Sequence, residues 1–247
     1  MAQSSSLKQT IPPKPNYLAV LPAFPLIYLR HGQHVDSGTY RGISDDPLSE
    51  EGERQANITG NYLARYFGLS LREQAKESDY IELITGPLPR TRQTTEIVSS
   101  ALTRRLGLPV QLLVDGRITE FYTPPPAQGM PIKELNRLYR GNPMRHPLYF
   151  TNHGEPPEEI SSRVGSFLTE MSLWVNNNGH TRLPRVVVTH GGILQFVQHL
   201  YGLFDKSGIG LIDKDDPMYP YTPRGDGFMA TPNSIRRLYI QNNSRKL

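Results

Sequence analysis

Short apolar runs alternate along the chain with longer stretches in which apolar residues recur every three or four positions. Leu26 to Leu29 is the first short run, and it stops abruptly at Arg30-His31-Gly32. Such a run reads as a buried strand, while the longer periodicity reads as a helix with one apolar face. Ser49 then suits a helix N-cap, with Glu50, Glu51 and Glu53 in the first turn, near the positive end of the helix dipole. Ala56, Gly60, Leu63 and Phe67 continue at helical spacing, which predicts a helix over about 50–67 ending at Gly68. A strand over Tyr80–Ile84 runs into Thr85-Gly86-Pro87-Leu88-Pro89, a turn that no helix crosses before its last proline. Thr94, Ile97, Val98, Ala101 and Leu102 predict a second helix over Arg90–Leu106, and Val110–Val114 a third strand.

From Phe121 to Pro156 the periodicity fails, apart from a short helix expected around Ile132–Tyr139. Ile160, Val164, Phe167, Leu168, Met171, Trp174 and Val175 form the clearest amphipathic helix, closed by Asn176-Asn177-Asn178-Gly179. A strand over Val186–Thr189, a helix over Ile193–Tyr201, an irregular stretch to 232 and a strand over Ile235–Ile240 complete the chain. Strands alternating with helices at this spacing predict an α/β fold around a largely parallel sheet.

Composition narrows the field. The chain has 247 residues, enough for one large domain or two small ones. No repeat or linker divides it. The expectation is a flexible or extended arm over 1–25, rich in proline, and one catalytic domain over 26–247. Insertions fall at about 121–156 and 203–232. Charge is mild, with 27 basic against 23 acidic residues and no basic block, so nucleic acid is not an expected partner. No apolar run is long enough to span a membrane, and the first residues lack the apolar core of a secretory signal, so a cytoplasmic location is expected. The absence of cysteine excludes disulfides, thiolate metal sites and a cysteine nucleophile.

The candidate chemistry sits where strands end. Arg30-His31-Gly32 follows the first strand and His190-Gly191-Gly192 the fourth. Arg90 follows the second strand through its proline turn, and Glu120 lies just beyond the third. In a parallel sheet these ends share one edge, the usual ligand edge of open α/β folds. Arginine forks bind phosphoryl oxygens, a neutral imidazole is a competent nucleophile, and a second histidine can steady a developing oxyanion. A protonated carboxyl can supply a proton to a departing alcohol. Two histidines also suit a metal, but no third histidine or carboxylate stands at ligand spacing beside either. No metal and no cofactor are expected.

Four segments together carry a family resemblance: Arg30–Gly32, Asp45–Ala56, Pro87–Thr95 and Val188–Gly192. In this order they resemble the histidine phosphatase superfamily, branch 1, with its phosphoglycerate-mutase-like fold. Gly154–Leu168 is similar to the family's Gly-Glu-Ser…Arg-Val helix, and Asn233-Ser234 to its lead into the last strand. The resemblance implies a three-layer α/β/α fold with a mostly parallel central sheet. It implies His31 as the phosphate-accepting nucleophile and Arg30, Arg90 and His190 as the phosphate pocket. Gly191, Gln33 and Arg41 fall beside that pocket, and Glu120 falls in the place of the proton donor. Gln33-His34 stands where the family commonly has Glu-Thr, Arg41-Gly42 where it has Gln-Gly, and Pro156 where it has the serine. The mutases' continuation after the acid is absent. The expected function is therefore a metal-independent phosphomonoester hydrolase acting through phosphohistidine. A phosphoglycerate-mutase-like phosphotransferase and a catalytically silent phosphate-binding module of the same fold are the alternatives. The expected partner is a small-molecule phosphate ester or a phosphopeptide, with a homodimer as a further possibility.

Overall fold

The computed structural model describes residues 25–35, 38–39, 42–71, 80–122, 129–131, 133–134, 155–178, 185–201, 224–231, 234–238 and 240–243. The N-terminal arm, Arg41, most of the two irregular stretches and nearly all of the short helix expected around 132–139 lie outside the described residues.

Six strands form one sheet: β1 (Leu26–Arg30), β2 (Ile81–Thr85), β3 (Val110–Val114), β4 (Arg185–Thr189), β5 (Gly227–Thr231) and β6 (Ser234–Leu238). Their order is β3-β2-β4-β1-β5-β6. The β3–β2, β2–β4 and β4–β1 pairs are parallel, whereas β5 is antiparallel to both β1 and β6. Five strands thus run one way and β5 alone runs against them. The helices are α1 (Glu50–Leu71), α2 (Pro89–Leu106), α3 (Pro157–Asn178), α4 (Gly191–Leu200) and the short α5 (Ile240–Asn243).

Strand alternation divides the apolar side chains between two cores. Ile27, Leu29, Leu83, Val186 and Val188 face Leu63 and Phe67 of α1 and Val98 and Leu102 of α2. Leu26, Tyr28, Ile84 and Val187 face Val164, Phe167 and Met171 of α3 and Ile193, Leu194 and Val197 of α4. Because β1, β2 and β4 are covered on both faces, every residue in them is buried, and the charged pair among them, Glu82 of β2 and Arg185 of β4, meets at 2.9 Å. The three-layer α/β/α arrangement with a mostly parallel sheet follows.

The strand expected over Ile235–Ile240 ends at Leu238, and Ile240 begins α5 instead; two further differences from the sequence reading have identifiable reasons. Helix α1 passes through Gly68 to Leu71. A glycine stops a helix by adopting the left-handed conformation, and Gly68 does not adopt it, whereas Gly107 after α2 does, with φ 69°. The strand β5 was hidden at the end of a stretch rich in glycine, aspartate and proline. It exists because Gly227 lies so close to the Tyr28 carbonyl that a β-carbon there would overlap it. Phe228 then enters one core and Met229 the other.

The start of α1 fixes the segment after β1. Ser49 caps the helix, its hydroxyl accepting from Gly52 N–H at 3.2 Å, and its own N–H donates to the Gln33 carbonyl at 2.8 Å. A β-carbon on Gly52 would overlap that same carbonyl, and one on Gly32 would overlap the Gly52 carbonyl. The two glycines let helix and loop touch backbone to backbone. Among the described residues no helix is long and apolar enough to cross a membrane.

Gly52→Ala is expected to destabilise the protein by about 1–3 kcal/mol, since neither backbone can yield to the new methyl group. Gly165→Ala, in α3 with nothing within 4 Å of its β-carbon position, should instead gain about 0.5–1 kcal/mol from helix propensity. Urea unfolding of the two variants would show opposite shifts in midpoint. Equal shifts would contradict the close backbone approach.

Candidate active site

The ends of β1, β2 and β4 are level, with Arg30 opposite Thr189 and Thr85 opposite Val188. The backbone continues the sheet by one further step. His31 N–H donates to the Thr189 carbonyl at 3.0 Å, and Gly86 N–H to the Val188 carbonyl at 3.2 Å. On the other side Arg30 N–H donates to the Asp226 carbonyl at 2.9 Å. Gly32 N–H donates to the Thr94 hydroxyl of α2 at 3.1 Å. His31 is therefore set by two strands and a helix, and only 4% of its surface is exposed.

Its ring orientation sets its chemistry. His31 Nδ1 lies 2.6 Å from the Gly32 carbonyl, an acceptor only, so Nδ1 carries the proton and Nε2 carries the lone pair. Burial holds its pKa well below the ordinary histidine value, helped by His190, Arg90 and Arg30. A neutral ring with a free Nε2 lone pair is the form that attacks phosphorus.

His190 faces it, the two ring centroids 5.1 Å apart. It is fully buried, and neither of its ring nitrogens has a hydrogen-bond partner among the described residues. Burial and then the charges of Arg90 and Arg30 keep it neutral too. A buried imidazole with no partner costs roughly 1–3 kcal/mol, which a bound anion accepting its N–H would offset.

Arginine supplies the positive charge. Arg30 lies against the first residues of α4: a β-carbon on Gly191 would come within 3.0 Å of its Cζ. Arg90, at the start of α2, donates through Nη1 to the Ser44 carbonyl at 2.6 Å and through Nη2 to the Gly42 carbonyl at 2.5 Å. It thereby ties the 42–44 loop to the site. Glu120 is buried at the same edge, accepting from Phe121 N–H at 3.3 Å and from Gly192 N–H. A β-carbon on Gly192 would sit 2.5 Å from Glu120 Oε1. Burial raises the pKa of Glu120 against the opposing pull of Arg90 and Arg30. That is the direction a proton donor needs.

Most of the expected constellation is thus brought together: Arg30, His31, Arg90, Glu120, His190 and Gly191 share one sheet edge. Gln33 is also adjacent, but its backbone is what the structure uses, accepting from Ser49 and donating to the Gln55 side chain at 2.9 Å. Arg41 lies outside the described residues. Sequence reasoning missed His34, which is buried with its ring centroid 5.9 Å from that of His31. Its Nδ1 pairs with the Val35 carbonyl at 2.6 Å, and burial lowers its pKa to about 4. It also gave no role to Thr94, whose place in an apolar helical stripe concealed the hydroxyl aimed at Gly32.

Two arginines, two histidines and a carboxyl at the carboxyl edge of a mostly parallel sheet form a site of the kind that suits an anion. The model of the histidine phosphatase superfamily (branch 1) matches residues 26–207, and the chain belongs to that family. It is 26% identical over 178 residues to an Arabidopsis thaliana phosphoglycerate mutase-like protein, covering 67% of this chain and 61% of that one. It is 27% identical over 154 residues to a Bacillus subtilis protein named as an uncharacterized phosphatase, covering 62% and 64% of the two chains. The chain therefore spans less than two thirds of the length of either relative. A yeast sedoheptulose 1,7-bisphosphatase is 27% identical over 214 residues, covering 79% of this chain and 76% of that one. Among solved structures, a mycobacterial glucosyl-3-phosphoglycerate phosphatase in complex with VO3 superposes with a TM-score of 0.58 at 21% identity, over 87% of this chain and 96% of that one. The last likeness bears on the fold alone.

Three histidines that resist protonation make the fold acid-sensitive. Unfolded histidine titrates near about 6.5, so below that pH the unfolded chain binds protons that folded His31, His190 and His34 refuse. Stability is thus lost as pH falls, by at most about 1.4 kcal/mol per pH unit for each histidine. For His34 the loss levels off below about 4. Glu120 acts in the opposite sense, because its raised pKa favours the folded form on acidification. Urea midpoints should fall between about pH 7.5 and about pH 5.5, and fall less steeply in His190→Asn. A midpoint that rises on acidification would contradict buried neutral rings.

Proposed function

We propose that the chain is a metal-independent phosphomonoester hydrolase working by double displacement through a phosphohistidine on His31. The observation that carries this reading is the pair of facing imidazoles. One ring has its Nδ1 proton committed and Nε2 left to react, and the other lies buried beside it with neither nitrogen partnered among the described residues.

In the first step His31 Nε2 attacks phosphorus as the ester P–O bond breaks. Arg30 and Arg90 compensate the equatorial oxygens, and His190 donates its N–H to one of them. Glu120 gives its proton to the departing alkoxide, so the alcohol leaves neutral. In the second step Glu120, now a carboxylate, takes a proton from water as the water oxygen attacks phosphorus. The P–N bond breaks, and inorganic phosphate, neutral His31 and protonated Glu120 are regenerated. The required charge comes from two guanidiniums.

The names of the Bacillus and yeast relatives favour hydrolysis over transfer to a second alcohol. The name of the yeast relative, a sugar bisphosphatase, favours a small organic phosphate ester as substrate. The whole chain from residue 26 is read as one catalytic domain, with selectivity in the stretches around 121–156 and 203–232.

His31→Ala should lower phosphate release from 4-nitrophenyl phosphate by at least about a thousandfold. Rapid acid quench of the wild type with labelled substrate, read against alkaline quench, should show phosphate that is acid-labile and base-stable. Label that survives acid on serine or threonine would refute the mechanism. Glu120→Ala should cost about 10²–10⁴ in kcat/KM for phenyl phosphate and much less for 4-nitrophenyl phosphate, whose leaving group needs no proton. Equal losses would remove Glu120 from the acid role.

A further inference from the structure

Among the described residues the carboxyl of Glu120 accepts backbone N–H bonds from Phe121 and Gly192, one of them 3.3 Å long. Its position must therefore come from the loop that carries it. Four of the five donors of one α3 arginine are spent on that loop and its anchor. Arg163 Nη1 donates to the Arg117 carbonyl at 2.6 Å and to the Thr119 carbonyl at 2.9 Å. Its Nε and Nη2 fork onto the two oxygens of Glu155 at 2.5 and 2.8 Å. Glu155 N–H in turn donates to the Tyr122 carbonyl at 3.1 Å. The carbonyl between the two held by Arg163, that of Ile118, takes the Thr189 hydroxyl at 2.6 Å. The backbone is thus gripped immediately before Glu120 and two residues after it, by groups that never touch the carboxyl.

We infer that Arg163, anchored by Glu155, is a positioning residue for Glu120, holding the proton donor's loop against the first turn of α4. This rests on Glu120 being the acid. The pair is half-buried, with 20% and 16% of the side chains exposed, so the fork is sheltered from competing water. The arrangement needs the planar guanidinium. A lysine keeps the charge but has no fork to hold two carbonyls and a carboxylate at once. The consequence is specific: loosening the loop should misplace the proton, not the phosphate pocket, because the Arg90 guanidinium and the backbones of Arg30 and His190 are held by contacts that do not involve Arg163.

The test is kcat/KM for phenyl and 4-nitrophenyl phosphate, since that ratio reports only the steps up to phosphohistidine formation. Arg163→Lys should lose about tenfold or more with phenyl phosphate and less than about threefold with 4-nitrophenyl phosphate. Glu155→Gln should show the same pattern, and it decides the matter if circular dichroism shows that the lysine variant does not fold. In a Glu120→Gln background Arg163→Lys should cost less than about twofold with either ester, because both changes remove one function. Equal losses on the two esters, the same loss with and without the Glu120 carboxyl, or no loss would each overturn the inference while leaving the phosphatase reading standing. A wild type without His31-dependent phosphate release would instead bring down both.

Discussion

A hydrogen bond within one dipeptide, from the His31 ring to the Gly32 carbonyl, is the contact on which the site depends. It places the proton on Nδ1 and leaves the reactive lone pair on Nε2. For that bond to aim the ring anywhere useful, Gly32 must itself be immobile. Its N–H is held by Thr94 of α2, and its Cα side is pressed onto the Gly52 backbone of α1. Side-chain volume at either glycine would push loop and helix apart. The ring proposed as nucleophile is thus aimed by backbone packing between three elements, with the Gly32 carbonyl as the partner of Nδ1 among the described residues.

The second constraint is electrostatic. Arg30, Arg90, His31, His190 and Glu120 are all almost wholly buried at one edge of the sheet. Burial, reinforced by two fixed positive charges, keeps both imidazoles neutral, and burial also keeps Glu120 inclined to hold its proton. These preferences suit one another: a cationic His31 could not attack, and an ionised Glu120 could not protonate a leaving group. Among the described residues His190 has no hydrogen-bond partner in this dry setting, and that unmet hydrogen-bonding capacity is what a phosphoryl oxygen would satisfy. Stability is given up at the place where a ligand would restore it.

Much of this was readable along the chain. Leu26–Leu29 and Val186–Thr189 announce buried strands because their β-branched and aliphatic runs have no polar face. Arg30-His31-Gly32 and His190-Gly191 stand out because each run ends in chemistry. Glu50, Glu51 and Glu53 behind Ser49 marked the start of α1 correctly. The strand β5 was not readable, since Gly227–Thr231 owes its conformation to β1, some two hundred residues earlier in the chain. Gly68 misled because a glycine stops a helix only when its backbone turns left-handed, and packing of α1 against α2 carries the helix past it. His34 was noticed only as a departure from a motif, and its burial with its ring 5.9 Å from that of His31 depends on how the loop folds back to pair with Leu48.

The sequence by itself determined which side chains are available for chemistry and which strand ends carry them, because hydrophobic periodicity and residue type are local properties. It also determined the α/β class, since strands and helices alternate at a spacing that only crossovers can connect. Tertiary structure alone decided the rest. It chose which nitrogen of His31 keeps a free lone pair, left His190 without a partner among the described residues, raised the pKa of Glu120 by burial, and wrapped Arg163 around the carbonyls of Arg117 and Thr119. Each of these depends on distances between atoms far apart in the chain and on the exclusion of water between them. Neither distance nor desolvation exists until the two cores have closed on the sheet.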